Sequence, residues 1–248
     1  MHKNSSMKGF SFMYEVGFRI PNADELFNLN QTEHSALFYE IRETWNVLLR
    51  LDDYISSNLK KTECNGEIHD QAVLQGDVSI GEGSIIEPGA LIIGPVQIGR
   101  NCRIGHGAIL RNNVIIGDYC EIGHAVEIKN SLLFNRCKVP HFNYVGDSIL
   151  GYQVHLGAGA ILSNYRLIRG KVNVLLDGKK IKTAMEKFGA LVGDRTEIGC
   201  NSVLQPGTII GKDCVLYSNI NFGGVLPASR LVKSKNELIV VPREENGD

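Results

Sequence analysis

Large apolar residues recur at every sixth position over most of this chain. One uninterrupted run contains eleven such positions, namely Leu74, Ile80, Ile86, Ile92, Ile98, Ile104, Leu110, Ile116, Ile122, Ile128 and Phe134. The same spacing returns at Leu150, Leu156 and Leu162, and again at Val192, Ile198, Leu204, Ile210, Leu216 and Phe222. An amphipathic helix would require steps of three and four residues instead. The pattern therefore predicts short strands separated by corners, each strand sending one large side chain inward.

Three six-residue sides close a triangular coil of 18 residues, and stacked coils place parallel strands about 4.8 Å apart. Small residues lie two positions before many of the large ones, and glycines that ease a corner often follow them. Cys102, Cys120 and Cys214 occupy the small inward positions, where a cysteine behaves as a compact apolar side chain. A disulfide between Cys102 and Cys120, one coil apart, is the less favoured alternative.

The ends of a solenoid need to be covered. Residues 35–59 carry an apolar stripe typical of a helix, formed by Leu37, Phe38, Ile41, Trp45, Leu48, Ile55 and Leu59. We predict that this helix caps the first coil. Asp177 and Gly178 lie between alternating residues and predict a β-hairpin within an insertion at 164–190. The predicted organisation is a helical cap region at 1–70, a β-helix at 71–226 and a tail at 227–248.

Charge and composition narrow the class of protein. The 26 basic and 27 acidic residues nearly cancel, so overall charge favours neither nucleic acid nor a membrane surface as a partner. No apolar run is long enough to span a bilayer, and the N-terminal residues do not have the pattern of a signal peptide. The six cysteines lack CxxC spacing. These features predict a cytoplasmic protein with reduced thiols.

The coil length turns sequence spacing into spatial proximity. Arg111 and Lys129 are 18 residues apart, and each occupies the corner position where glycine is usual. Two cations about 5 Å apart repel by roughly 3 kcal/mol at an effective dielectric constant near 20. A bound anion such as a phosphate would offset this repulsion. The alternative is that both side chains extend into water.

The repeat changes phase near His141. The next core position after Phe134 is Pro140, which cannot donate a ladder hydrogen bond, and the period returns at Leu150 shifted by four residues. We predict that the strand is interrupted here and that His141 is lifted out of the wall. An imidazole suits general-base chemistry. The alternative is a structural histidine in a turn.

Several motifs resemble a known family in order and in spacing. EIKN (127–130), VPHFNYVGDS (139–148), LGAGAILSNY (156–165) and Arg111 are similar to the acetyltransferase half of the bacterial and archaeal bifunctional N-acetylglucosamine-1-phosphate uridyltransferase/glucosamine-1-phosphate acetyltransferases. The hairpin segment resembles the archaeal version, and the preceding nucleotidyltransferase domain is not expected in this chain. The resemblance implies a left-handed parallel β-helix, an all-β fold of hexapeptide repeats. It also implies a homotrimer with sites between subunits, and acetyl-CoA as co-substrate.

The resemblance further implies acetyl transfer to the amine of glucosamine 1-phosphate without a metal. His141 would be the general base, and the Ala158 N–H would stabilise the oxyanion. Residues matching the family's substrate contacts are Arg111, Lys129, Tyr144 and Asn164, and Tyr165 matches one at the acetyl donor. Ser218 and Arg230 are further cofactor candidates, with Arg230 opposite the CoA 3′-phosphate.

This chain departs from the family pattern at several positions. His155 replaces a sugar-binding asparagine, and Asp194 replaces a serine close to CoA. The lysine expected after Tyr165 corresponds to Lys171, or otherwise to Arg169. These differences concern the identity of the amino sugar more than the reaction type.

Three alternatives remain open from the sequence. IGHGAIL at 104–110 resembles the metal motif of γ-class carbonic anhydrases, but Arg111 stands where a second histidine is needed, and His106 with His124 would supply only two zinc ligands. A non-catalytic β-helix scaffold is the second alternative. The third is an acyltransferase acting on another amino sugar or a nucleotide-linked one.

Overall fold

The computed structural model describes residues 19–58 and 63–234. Leu59 of the predicted helix, and the tail beyond residue 234, lie outside these ranges. The chain winds into a parallel β-helix with three faces, confirming the predicted all-β solenoid. Partner strands one coil apart are offset by 18 residues over the first coils, as in Ile68 opposite Ile86.

The strands of each face stack in chain order. The first face contains Glu67–Ile68, Ile85–Ile86, Arg103–Ile104, Glu121–His124, Lys138–His141, His155–Leu156, Glu197–Ile198, Val215–Leu216 and Leu231–Val232. The second contains Val73–Gln75, Leu91–Ile93, Tyr144–Gly146, Ile161–Leu162, Val203–Leu204 and Asn221–Phe222. The third contains Val78–Ile80, Val96–Ile98, Ile149–Leu150, Ala190–Val192, Thr208–Ile210 and Val225–Leu226. Two long strands, Ile109–Ile116 and Glu127–Leu133, turn the corner between the second and third faces and belong to both of these faces.

The interior is a continuous stack of apolar side chains, with one large residue from each strand, as the six-residue period predicts. Ile80, Ile104, Leu110 and Ile122 are fully buried in this cluster. Cys102, Cys120 and Cys214 are also buried there as free thiols, so no disulfide joins Cys102 to Cys120. The solenoid extends from Glu67 to Val232, beyond the predicted 71–226 at both ends.

The phase change has a different location from the one predicted. The ladder continues through Pro140, because Val139 pairs with Ile122 and His141 with His124, and Val139 takes the core position. The register shifts instead between Lys129 and Ser131, where this coil has one residue fewer than the coil before it. The next coil keeps the 17-residue length, with Ile128 opposite Val145.

Phe134 is buried outside the solenoid rather than inside it. It belongs to a second apolar cluster, which covers the outer surface of the third face. Outward side chains of that face enter the cluster, namely Ile115, Leu132, Ile149, Leu191 and Ile209. The N-terminal helices and the inserted hairpin pack against them, and Trp45 meets Phe188 with ring centroids 6.0 Å apart.

The predicted helix at 35–59 is a series of short helices, and it covers a side of the solenoid rather than its first coil. The helices are Ala23–Leu26 and Leu51–Asn58 (α) and Leu29–Gln31, Ser35–Phe38 and Thr44–Leu49 (3₁₀). They pack against the third face because its outward positions are apolar there. None of the helices in the described ranges is long and apolar enough to cross a membrane.

The predicted hairpin is confirmed. Asn173–Leu176 pairs antiparallel with Lys179–Lys182, and Asp177 and Gly178 form the turn with φ of 48° and 74°. Such values suit a two-residue turn with left-handed residues. Val174 is buried against the third face, so the hairpin lies along the solenoid rather than projecting freely.

Candidate active site

One corner of the solenoid, between the first and second faces, carries His141 and Ala158. We call the column His106, His124, His141, Ala158, Cys200 and Ser218 the histidine corner. Each member is followed by a residue with positive φ. The N–H of that following residue donates to the carbonyl of the column member one coil earlier: Gly159 N–H donates to His141 O at 2.9 Å, and Asn201 N–H donates to Ala158 O at 2.9 Å. His141 and Ala158 therefore lie on adjacent coils.

Asn143 fixes the geometry between those two residues from inside the wall. Its Oδ1 accepts the His141 N–H at 3.0 Å, and its Nδ2 donates to the Gly157 carbonyl at 2.7 Å. Within residues 19–58 and 63–234, the Ala158 N–H has no hydrogen-bond acceptor. A backbone N–H without an internal partner can donate to a ligand oxygen that gains negative charge.

His106 and His124 are stacked, with ring centroids 5.5 Å apart and an interplanar angle of 4°. The Nδ1 of His106 lies 2.7 Å from the Pro88 carbonyl, and that of His124 lies 3.0 Å from the His106 carbonyl. Phe142 contacts the His124 ring edge-on at 5.2 Å. Across the described ranges, no group of three or more His, Cys, Asp or Glu residues is arranged to hold a metal ion.

Arg111 and Lys129 lie at the opposite edge of the second face, beside the corner with the third face. They are direct register partners on adjacent coils, as the 18-residue spacing predicts. Each is paired with a carboxylate of this chain, which the sequence argument did not foresee. Arg111 Nη2 lies 2.6 Å from Glu127 Oε1, and Lys129 Nζ lies 3.6 Å from Asp147 Oδ2. An incoming anion would therefore compete with, or add to, two internal ion pairs.

Tyr144 and Asn164 lie beside these cations. The Asn164 Nδ2 donates to the Tyr144 hydroxyl at 3.1 Å and also to Asp147 Oδ2. Burial raises the pKa of Tyr144, and the Glu127 and Asp147 carboxylates act in the same direction against the Asn164 hydrogen bond. Tyr144 is therefore a neutral phenol at neutral pH, with its own proton available to donate.

His141 and the cation pair stand at the two edges of the same face. The intervening strand, Tyr144–Gly146, is three residues long, which corresponds to roughly 10 Å. The outward side chain of Tyr144 lies between them. A small phosphorylated molecule laid across this strand could contact His141 at one edge and Lys129 at the other.

Two open grooves lie over the first face, and one of them reaches the histidine corner. His155 lines both grooves. The groove that reaches the histidine corner has a volume of about 450 Å³ and is also lined by Cys200, Tyr217 and Ser218. The other, of about 700 Å³, is lined by charged side chains that include Lys138 and Arg195. Tyr165 lines a third groove, of about 510 Å³, between the second face and the hairpin.

The structure does not bring every predicted residue to these grooves. Asp194 is fully buried at the corner between the third and first faces, where it accepts the Asn28 N–H at 2.6 Å and the Tyr152 N–H at 2.8 Å. Its carboxylate also lies 3.7 Å from Lys212 Nζ. These partners hold the N-terminal segment onto the solenoid, and Asp194 lines none of the three grooves.

Two other predicted residues lie on the surface with local partners. Lys171 Nζ is 3.2 Å from Glu186 Oε1 at the base of the hairpin. Arg230 donates to the carbonyls of Ala228 and Ser229, both at 3.2 Å. Arg169 is exposed in the same loop region as Lys171.

Sequence reasoning missed Glu127, Asn143, Gly146 and Asp147. Three of them stand inside the motif VPHFNYVGDS, and Glu127 begins EIKN, so the motifs marked the region without giving these roles. An alternation rule could have found Glu127, because it lies two residues before Lys129 and must face the same side of the strand.

Comparison with known proteins agrees with the repeat and with the motifs. Residues 92–174 match the family model "GMPPB C-terminal domain", and residues 190–220 match "Hexapeptide repeat of succinyl-transferase". The chain belongs to the hexapeptide-repeat family of acyltransferases.

Curated relatives include "Bifunctional protein GlmU" of Methanococcus maripaludis, 33% identical over 215 residues, which are 87% of this chain and 52% of that protein. The "Bifunctional sugar-1-phosphate nucleotidylyltransferase/acetyltransferase" of Sulfurisphaera tokodaii is 33% identical over 185 residues, covering 75% and 46%. This chain therefore spans about half the length of these relatives. Among solved structures, the UDP-N-acetylglucosamine acyltransferase of Francisella novicida has a TM-score of 0.46 and 16% identity, covering 71% of this chain and 61% of that one.

Proposed function

We propose that this protein transfers the acetyl group of acetyl-CoA to the amine of glucosamine 1-phosphate, as an acetyltransferase of amino-sugar metabolism. The observation that carries the proposal is the arrangement of His141 on one coil and the unpaired Ala158 N–H on the next, joined by the Gly159 to His141 hydrogen bond. The similarity to a bifunctional sugar-1-phosphate nucleotidylyltransferase/acetyltransferase supports the same class of reaction.

In this proposal His141 accepts a proton from the neutral sugar amine as the amine nitrogen attacks the thioester carbonyl. The Ala158 N–H donates to the oxygen that becomes negative in the tetrahedral intermediate. The intermediate collapses as its C–S bond breaks, and the protonated His141 gives its proton to the departing CoA sulfur. Lys129 and Arg111 bind the sugar phosphate, and Tyr144 and Asn164 contact the sugar ring. Positioning and one base supply the rate enhancement, and no step uses a metal.

Acetyl-CoA would lie along the continuation of the histidine corner, past Cys200 and Ser218. His155 borders the groove there, and Tyr165 borders the groove beside the hairpin. Lys171 and Arg230 remain candidates for contacts made in a closed or assembled state. We expect a cytoplasmic homotrimer in which a neighbouring subunit completes the groove.

A panel of amines tests the proposal. Purified protein is incubated with acetyl-CoA and with glucosamine 1-phosphate, glucosamine 6-phosphate, glucosamine or a UDP-linked amino sugar, and the released thiol is measured. The proposal predicts fastest turnover with glucosamine 1-phosphate, because the cations require a phosphate at one edge of the face and an amine at the other. Preference for a nucleotide-linked amine would contradict the assignment of glucosamine 1-phosphate as the substrate. Absence of turnover with every amine would favour the alternative of a non-catalytic β-helix scaffold.

A further inference from the structure

Asp147 is a buried carboxylate at the edge of the candidate active site. It is 4% exposed and belongs to a column of corner residues formed by Asn112, Asn130, Asp147 and Asn164. Its Oδ1 accepts from Asn130 Nδ2 at 2.8 Å, and its Oδ2 accepts from Asn164 Nδ2. Lys129 Nζ lies 3.6 Å from the same Oδ2. Three polar groups of the site therefore converge on this carboxylate.

The backbone does not require an aspartate here. Asp147 has φ of 47°, and its predecessor in the column, Asn130, has φ of 45°. Asparagine and aspartate are both tolerated in this left-handed region. Since an asparagine would fit the corner equally well, the negative charge needs another explanation.

The charge fixes the direction of the Asn164 amide. An ionised carboxylate can only accept hydrogen bonds, so Asn164 must turn its NH2 group toward Asp147. The same NH2 group donates to the Tyr144 hydroxyl oxygen at 3.1 Å. Both amide hydrogens are thereby used, and no hydrogen bond recorded in the described ranges ends on Asn164 Oδ1.

This arrangement gives the site a defined polarity. The Tyr144 oxygen is already an acceptor from Asn164, so its proton is free to donate to an acceptor on a ligand. The Asn164 Oδ1 is free to accept from a hydroxyl or ammonium group of a ligand. An asparagine at position 147 could present either its NH2 group or its oxygen to Asn164. The Asn164 amide could then form a hydrogen bond in either of two orientations, so its oxygen would no longer be fixed toward the ligand.

We propose that Asp147 is a positioning residue that orients Asn164 and, through it, Tyr144 for binding the amino-sugar phosphate. The inference rests on the proposed function for the identity of the ligand. Asp147 touches no reacting atom: it acts by holding the amide in one orientation and by holding the Lys129 ammonium beside it.

The test compares Asp147→Asn with Asp177→Asn. Asp177 has nearly the same backbone conformation, with φ of 48°, but lies exposed at the hairpin turn. For D147N we expect the KM for glucosamine 1-phosphate to rise at least tenfold, with the KM for acetyl-CoA changed less than twofold. D177N should match the wild type in both constants. A folded D147N protein with an unchanged KM for the sugar phosphate would overturn the proposal.

A swapped variant separates positioning from a purely structural role. Asp147→Asn combined with Asn164→Asp keeps a hydrogen bond between the two positions but reverses its direction. We expect the swap to melt close to the wild-type temperature while the KM stays raised at least tenfold. Recovery of the wild-type KM by the swap would show that only the hydrogen bond matters. The swap also provides the test if D147N alone fails to fold.

Calorimetric titration with glucosamine 1-phosphate, without acetyl-CoA, keeps the two proposals apart. A wild type that binds the sugar phosphate but transfers no acetyl group would refute the proposed function, and a tenfold weaker binding by D147N would still support the role of Asp147. Equal binding by D147N and wild type would overturn that role whatever the activity. A wild type that neither binds nor reacts would refute both.

Discussion

Replacing Gly146 by alanine perturbs the candidate site without straining the backbone. Gly146 is the register partner of Lys129, and its φ lies outside the left-handed region. A Cβ added there would lie 2.5 Å from Asn164 Nδ2 and 2.6 Å from the Tyr144 hydroxyl oxygen. Because ordinary contacts are 3.5–4.0 Å, both groups would have to move by about 1 Å.

The expected loss follows from that displacement. Asn164 cannot retreat without lengthening its hydrogen bond to Asp147, and Tyr144 is held by the same amide. A misplacement of about 1 Å can lower the rate about 100-fold, which corresponds to about 2.7 kcal/mol. Overpacking also costs about 1–3 kcal/mol of unfolding free energy, or a fall of several degrees in Tm.

The assay is thiol release with glucosamine 1-phosphate, with Gly223→Ala as the matched control. Gly223 occupies the equivalent corner position on the last coil of the second face, since Asn221 pairs with Val203. Its added Cβ would meet only the flexible Gln205 side chain, at 3.2 Å and 3.4 Å. We expect G223A to keep wild-type activity. A folded G146A protein with kcat/KM within threefold of wild type would refute the geometric reasoning.

Two further predictions concern residues outside the sugar-phosphate site. Asp194→Asn should lower the free energy of unfolding by about 1–3 kcal/mol near pH 4, because one backbone N–H loses its acceptor, and should leave the KM for acetyl-CoA unchanged. Burial raises the pKa of Asp194 in the folded state, so wild-type stability from this group is greatest below its ordinary value of 3.8 and is lost as pH rises through the folded pKa. Denaturant titrations should therefore show the gap between wild type and D194N shrinking with rising pH; a widening gap would contradict the assignment. Acetyl-CoA should protect Cys200, which borders the proposed donor groove, from alkylation while leaving the exposed Cys64 on the first coil reactive. Equal protection of both thiols, read by mass spectrometry, would place the donor elsewhere.

The sixfold pattern was sufficient for the solenoid because each inward position repeats the same environment. The residues at every sixth position from Ile80 to Ile128 are all buried, as the period requires. The pattern failed at Phe134 and Pro140 because a single missing residue at the corner after Lys129 moves the later positions by one. Periodicity alone gives no sign of where such a deletion lies, since the ladder absorbs it at a turn.

The site was predicted in part for a similar reason. The stacking of Arg111 on Lys129 follows from coil length, which is a local property of the repeat. Their carboxylate partners Glu127 and Asp147 depend on side-chain direction and on the shortened corner. The buried environment of Asp194 could not be predicted, because its partners, Asn28 and Tyr152, come from segments distant in sequence. The covering of the third face depends on such long-range contacts as well.

The most direct test of the central claim compares His141→Ala with His106→Ala. Both histidines belong to the histidine corner and are exposed, but only His141 lies one coil below the free Ala158 N–H. Loss of a general base typically lowers the rate about 10²- to 10⁴-fold. The account predicts such a fall in kcat for H141A with glucosamine 1-phosphate, and a kcat within twofold of wild type for H106A. An H141A protein that still folds and acetylates the sugar at the wild-type rate would contradict it.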